Sequence, residues 1–198
     1  MLRGVPELSA PSGVTGTRSG TRDRIQSVAR ELYRDLGVRS VTMSQIAEAA
    51  GLSRQMVYKV FFDRKELVRE VAIERILEIA DLASGEASGD FATAFVEVSV
   101  RTIELLRGDA ELGDLFGEGS PVSAYETLWS PELVTRARQH WAPWLAIGRA
   151  ERRVRPELTD DEITDWLQTV YASIVVRPHI DLDRERAMIE RFVTTSLR

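Results

Sequence analysis

The 198-residue chain has no cysteine and no asparagine, two histidines, and two lysines beside 24 arginines. Each scarcity excludes something. Without cysteine there is no disulfide and no thiolate zinc site. Without asparagine there is no N-glycosylation acceptor. The two histidines, His140 and His179, fall on different predicted elements. No zinc spacing, phosphate-binding glycine loop or nucleophile elbow accompanies them. The expectation is a protein that is not an enzyme, with no metal and no cofactor. "RGD" at Arg107–Asp109 reads as a helix end with glycine as terminator. No segment approaches the ~18 uncharged apolar residues of a membrane span. The opening "MLRGVPELSAPSGVTG" lacks the apolar stretch of a signal peptide. A cytoplasmic protein with no membrane partner is expected. Strand-like alternation and repeats of 20–50 residues are missing too, which leaves an all-α chain.

What is present is a core-forming chain, 43% apolar. The net charge of −5 is unevenly spread. Residues 1–69 hold 12 Lys+Arg against 7 Asp+Glu, a balance of +5, and the remainder balances at −10. A basic N-terminal third on an acidic body suits a region that meets a polyanion, although solvated surface would look the same.

Residues 1–20, rich in Gly, Ser, Thr and Pro, read as a flexible tail. "TRDRIQSVARELYRDLG" places Ile25, Val28, Ala29, Leu32, Tyr33 and Leu36 on one helical face, with Thr21 as cap and Gly37 as terminator. "TMSQIAEAAG" follows, with capping-box spacing at Thr42 and Gln45 and small residues that allow close helix approach. Gly51 suits a sharp turn. A third helix opens at Ser53, with Val57, Val60 and Phe61 inward and Arg54, Gln55, Met56 and Lys59 elsewhere. A fourth begins at Asp63, with Glu66 at capping-box distance. Two helices joined by a short glycine-containing turn form a helix-turn-helix pattern. Such a motif lays the start of its second helix in the major groove. Arg54 and Gln55 can reach base edges, Met56 can meet a thymine methyl, and Tyr58 and Lys59 suit phosphates. A half-buried surface helix that happens to be polar is the competing reading.

The segment "RIQSVARELYRDLG" followed by "VTMSQIAEAAGLSRQMVYKVFFDRKELV" resembles the DNA-binding domain of the tetracycline-repressor (TetR) family over residues 21–68. The resemblance implies an all-helical homodimer that binds a palindromic double-stranded operator. Residues 21–68 would form the DNA-binding domain, and residues 69–198 a larger helical domain for ligand binding and dimerisation. It implies phosphate contacts at Thr42, Tyr58 and Lys59 and base readers among Arg54, Gln55 and Met56. Ser44, Ser53 and Arg64 complete the candidate DNA-contact set. The chain departs from the family at Gln55, where a small residue is usual, at Val60, where His is usual, and at Arg64, where Lys is usual. An interaction or ligand-sensing module without DNA binding is the alternative, opposed by the retained Arg54, Tyr58 and Lys59.

The rest of the chain reads as further helices. Phe91, Phe95, Val98, Thr102, Leu105 and Leu106 form one stripe. "ASGEASGD" reads as a loop after Leu82. Ser130 and Pro131 start a helix that Pro143 should kink, and Thr159 with Glu162 caps another that Pro178 stops. The family pattern implies an effector, unidentified but apolar or aromatic, among Phe95, Arg107, Phe116, Tyr125, Trp129, Trp141, Trp144, Trp166 and Tyr171. Plain core packing is the competing reading for each. The last two helices would pair across a two-fold axis through Ile163, Trp166, Val170, Ile174, Ile189, Phe192 and Val193, unless these serve the core of their own chain.

Overall fold

The computed structural model describes residues 16–85, 87–177 and 181–197. Every regular element among them is helical. In order they are α1 (Gly16–Leu36), a 3-10 turn (Val38–Ser40), α2 (Met43–Ala49), α3 (Arg54–Val60), α4 (Arg64–Gly85), α5 (Phe91–Gly108), α6 (Ala110–Leu115), α7 (Ala124–Leu128), α8 (Pro131–Ala150), α9 (Asp160–Val175), α10 (Leu182–Met188), a π segment (Ile189–Val193) and α11 (Thr194–Leu197).

Local chemistry explains most of the boundaries. Thr42 and Gln45 form a reciprocal capping box, as do Thr159 and Glu162, so the orphan amides of both first turns are satisfied. Ser53 accepts from the Met56 amide at 3.2 Å and Ser130 caps α8 with Pro131 at its first position. Gly37 ends α1 at φ +77°, a left-handed conformation that costs glycine little. α8 runs unbroken through Pro143.

Several boundaries differ from the sequence reading. α1 starts at Gly16, so Thr21 lies inside the helix and the last five residues of the expected tail are helical. The earlier tail residues lie outside the described residues, as do Pro178 and His179. α4 continues through Gly85 because Ala83 still finds a buried site, which shortens the expected loop. At its start Asp63 accepts from the Glu66 amide at 2.7 Å, while Glu66 reaches back to the Phe62 amide at 2.6 Å rather than to that of Asp63.

Two apolar interiors organise the chain. One gathers Ile25, Ala29, Ile46, Val57, Phe61 and Leu67 from α1–α4, then follows α4 to Ile79 and takes in Leu112, Leu115, Leu128 and Ala172. The other holds Phe91, Phe95, Trp141, Leu145, Ile163, Leu167, Ile189 and Val193 from α5, α8, α9 and the C-terminal helices. Burial of each such large side chain contributes about 1.5–3 kcal/mol. The expected boundary between residues 68 and 69 falls inside α4, whose core residues from Leu67 to Ile79 belong to the first interior.

Candidate nucleic-acid interface

α2 buries Ile46, Ala47 and Ala50, and the small side chains let it lie close to α1. The turn to α3 passes through Gly51 at φ +62°, where a Cβ would meet Arg24 Nη2 at 3.0 Å. α3 is pinned from behind by Val57 and Phe61, both wholly buried, with Val60 partly so. Its other face, Arg54, Gln55, Met56, Tyr58 and Lys59, is exposed. Met56 is 41% exposed, unusual for a residue that a core would accept. The Arg54 guanidinium lies 5.5 Å from the Tyr58 ring centroid, a cation–π contact that holds it over the helix front. Seven helical residues span about 10 Å, which fits a major groove about 12 Å wide.

Not every expected contact residue stands free. Thr42 directs both its amide and its hydroxyl to Gln45 Oε1, each at 2.8 Å, so a phosphate contact there costs the capping box. Ser44 is exposed, and Ser53 is exposed with its hydroxyl oxygen committed to the helix cap. Arg64 departs from its expected role. It donates from Nε to the Val41 carbonyl at 3.0 Å and from Nη2 to the Val38 carbonyl. Those bonds tie the start of α4 to the connection before α2, where the Val38 carbonyl also accepts from the Val41 amide at 3.4 Å. Tyr33 lies in the same region, its phenol pushed up to about 12 by burial. A cation the sequence reading missed is Arg24, exposed on α1 beside the Gly51 turn. Helical periodicity places it outward, but only the fold brings it to the start of α3.

The body assigns its aromatic residues to different tasks. Phe91, Phe95, Trp141 and Tyr171 form a chain of rings, with successive centroids 5.2, 5.4 and 5.7 Å apart. The Tyr171 hydroxyl pairs with Ser99 Oγ at 2.6 Å, and burial raises its pKa. Trp144 packs against this cluster. Tyr125 and Trp129 lie in the open, 6.3 Å apart, and Trp166 is exposed with its indole donating to Ser196 Oγ at 3.0 Å. Only Arg107 and Phe116 of the expected effector set share a cavity, of about 250 Å³, with Ile76, Leu106, Leu112 and Val175 among its other walls. Phe95, Trp141 and Tyr171 instead fill one another's space.

The expected dimer residues divide in the same way. Ile163, Ile174, Ile189 and Val193 are buried within the chain and Val170 is partly buried there, so the apolar stripe is spent on the chain's own core. Only Trp166, 45% exposed, and Phe192, 67% exposed, present area to a partner.

A chain of charges joins the α1–α3 unit to the body. Arg30 of α1 donates to both carboxylate oxygens of Glu111 on α6, at 2.5 and 2.9 Å, and to both of Glu78 on α4, at 2.5 and 2.7 Å. Arg75 of α4 donates to Asp109 at 3.1 and 2.6 Å and to Glu78 at 3.0 Å. The Arg30 hydrogen bonds hold the Glu78 carboxyl below its ordinary range. A second link passes through buried Glu70, which lies 3.4 Å from Arg22 of α1 and accepts from Arg136 of α8 at 2.6 Å.

An exposed polar front on α3, a rigid apolar back and a tight turn from α2 define a DNA-binding helix-turn-helix protein. Residues 25–71 match the family described as "Bacterial regulatory proteins, tetR family". The chain is 26% identical over 183 residues to an HTH-type transcriptional regulator of Mycobacterium tuberculosis, covering 86% of this chain and 82% of that one. It is 25% identical over 170 residues to the HTH-type transcriptional regulator AlkX of the same species, covering 81% and 74%. In fold it resembles the transcriptional repressor QsdR of R. erythropolis, with TM-score 0.71 and 19% identity over 86% of this chain and 93% of that one. The repressor AlkX of Dietzia sp. strain DQ12-45-1b gives TM-score 0.65 and 21% identity over 92% and 97%. Residues 25–71 thus carry a tetR-type helix-turn-helix, and most of the chain is similar to transcriptional regulators. Among the described residues, no helix is long and apolar enough to cross a membrane.

Proposed function

We propose that the chain is a homodimeric repressor, acting in the cytoplasm, that binds a palindromic operator and releases it when a small molecule enters its helical body. The observation that carries this reading is the front of α3: five side chains with DNA-reading chemistry face outward from a helix locked by Val57 and Phe61. Residues 21–68 serve as the reading unit and residues 69–198 as the sensing and pairing unit. Arg54, Gln55 and Met56 meet base edges. Tyr58, Lys59, Ser44 and Arg24 meet phosphates. Trp166 and Phe192 mark the surface that pairs with a second copy.

Successive major grooves on one face of DNA lie about 34 Å apart, so two copies of α3 must keep that separation. An effector that prefers another spacing therefore lowers operator affinity, and by linkage the operator lowers effector affinity equally. α6 and α4 are placed to transmit the change, since Glu111 and Glu78 both hold Arg30 of α1.

Affinity for genomic operator fragments, measured against salt, tests the reading. The expected result is a steep loss of affinity with salt and a palindromic footprint. Lys59→Ala should weaken binding to all sequences alike and reduce the salt slope by about 1. Arg54→Ala should also relax base preference, at about 1–3 kcal/mol per lost base contact. A salt-insensitive protein with no footprint refutes it.

A further inference from the structure

We infer that Arg22 of α1 is a positioning residue for DNA reading: without touching the duplex, it clamps the C-terminal end of α3 to the buried Glu70 of α4. This rests on the DNA-reading proposal above and adds the residue that aims the helix.

α3 is a lever that needs a fixed end. Its seven residues span about 10 Å, and Val57 is its one buried side chain, with Phe61 behind it. A tilt of about 10° at one end moves the other by about 2 Å. Hydrogen bonds to base edges work only over about 2.7–3.2 Å, so such a tilt breaks them.

The carbonyls of a helix's last turn have no partner inside the helix. At the end of α3 the chain leaves in an extended conformation at Phe61, and the Val60 carbonyl accepts from Arg22 Nη1 at 3.3 Å. The same guanidinium lies over the Phe61 ring, 4.3 Å from its centroid. Its positive charge also suits the negative end of the helix dipole. α1 thus grips the last turn of α3 by a carbonyl and by the ring next to it.

The grip is anchored on α4. Arg22 Nη2 lies 3.4 Å from the buried Glu70 carboxylate, which is itself held by Arg136 of α8 at 2.6 Å. It lies 3.7 Å from Glu66, whose carboxylate accepts from the Phe62 amide at 2.6 Å. A phosphate contact is the rival role for a cation in the basic N-terminal third. Arg22 is half-buried and compensated by two carboxylates, unlike the exposed Arg24 and Lys59.

The test compares the full-length native protein with Arg22→Met and Arg22→Lys. The probes are a footprinted operator fragment and a scrambled duplex of the same length, between about 50 and 200 mM salt. Amide hydrogen exchange at Val57 and Phe61 gives a readout without DNA. Arg22→Met keeps an unbranched side chain beside Phe61, and Glu70 keeps Arg136. Arg22→Lys keeps the charge but lacks the planar fork that stacks and donates at once.

Arg22→Met should lower the preference for operator over scrambled duplex by about threefold to tenfold, with the salt slope unchanged. The Val57 and Phe61 amides should exchange faster by a similar factor, with the Ile46 amide of α2 unaffected. Arg22→Lys should melt close to the native protein and still lose operator preference, which a purely stabilising role would not produce. A salt slope reduced by about 1, with both duplexes weakened alike, makes Arg22 a phosphate contact and overturns the clamp. Unchanged preference in Arg22→Met, or full preference in Arg22→Lys, overturns it as well. If the native protein prefers no duplex, the regulator reading fails, and exchange at Val57 and Phe61 alone decides the clamp.

Discussion

Replacing Arg30 by Met severs α1 from α6 while keeping an unbranched side chain on the helix. Four charge-assisted hydrogen bonds disappear, two to Glu111 and two to Glu78. Exposed ion pairs contribute about 0.2–1 kcal/mol, whereas breaking a buried pair costs about 3–5 kcal/mol. The three side chains, at 20%, 15% and 38% exposure, fall between these limits. Arg75 also softens the loss, because it stays at 3.0 Å from Glu78 and 3.6 Å from Glu111. A destabilisation of about 2 kcal/mol follows. At roughly 2–4 °C per kcal/mol for a chain of this size, Tm should fall by about 4–8 °C. The effect carries a pH signature. Arg30 holds the Glu78 carboxyl below its ordinary range. Its contribution is therefore complete above the unfolded carboxylate pKa of ~4.3 and is lost as pH falls through the lower folded value. Below about pH 4.3 the native protein should lose stability more steeply than the variant, and the two melting curves should converge. In operator binding, the variant should keep most of its affinity without effector but lose most of the effector-induced release, since coupling of this kind is worth about 1–3 kcal/mol. A variant that melts with the native protein and releases DNA normally would show that this charge chain carries neither stability nor signal.

Other substitutions probe separate parts of the molecule. Gly148→Ala places a Cβ 2.7 Å from Val154 and 2.8 Å from the Phe91 ring, so it should cost about 1–3 kcal/mol in a denaturant melt while operator affinity of the folded protein is unchanged. Arg64→Ala removes the side-chain donor of the Val41 carbonyl and leaves the Val38 carbonyl with the Val41 amide alone, and should lower stability by about 1–3 kcal/mol. A phosphate-contacting role would instead lower the salt slope of DNA binding without a loss in Tm. Phe192→Asp puts a charge on an exposed apolar site, so sedimentation should show a shift toward single subunits at unchanged secondary structure, with weaker operator binding at low protein concentration.

The reading helix was legible in the sequence because its determinants are local. Caps such as Thr42 with Gln45 and Ser53 with the Met56 amide span three residues, and Val57 and Phe61 are one helical turn apart. The helical body after α4 was less legible. Arg107 meets Glu185 across 78 positions, and no periodicity announces a pair so distant. An aromatic count pointed to Phe95, Trp141 and Tyr171, but large rings fill space as readily as they line it. The stripe through Ile163, Ile174 and Ile189 was rightly seen as apolar. A 3.6-residue period tells that a face is covered, not whether the cover is the same chain or another copy. The short α7 opens on a capping box of Ser123 and Glu126, a local signal that five residues are too few to reinforce with periodicity.

The interior that begins at Ile25 does not stop where the DNA-reading unit stops; it follows α4 to Ile79 and ends on Ala172 of α9. The reading head is therefore not a bead on a string. A fragment cut after residue 69 would expose the apolar flank that Ile73, Ile76 and Ile79 now cover, and would be expected to clump rather than read DNA. Evolution can change the body only with side chains that leave this shared keel intact.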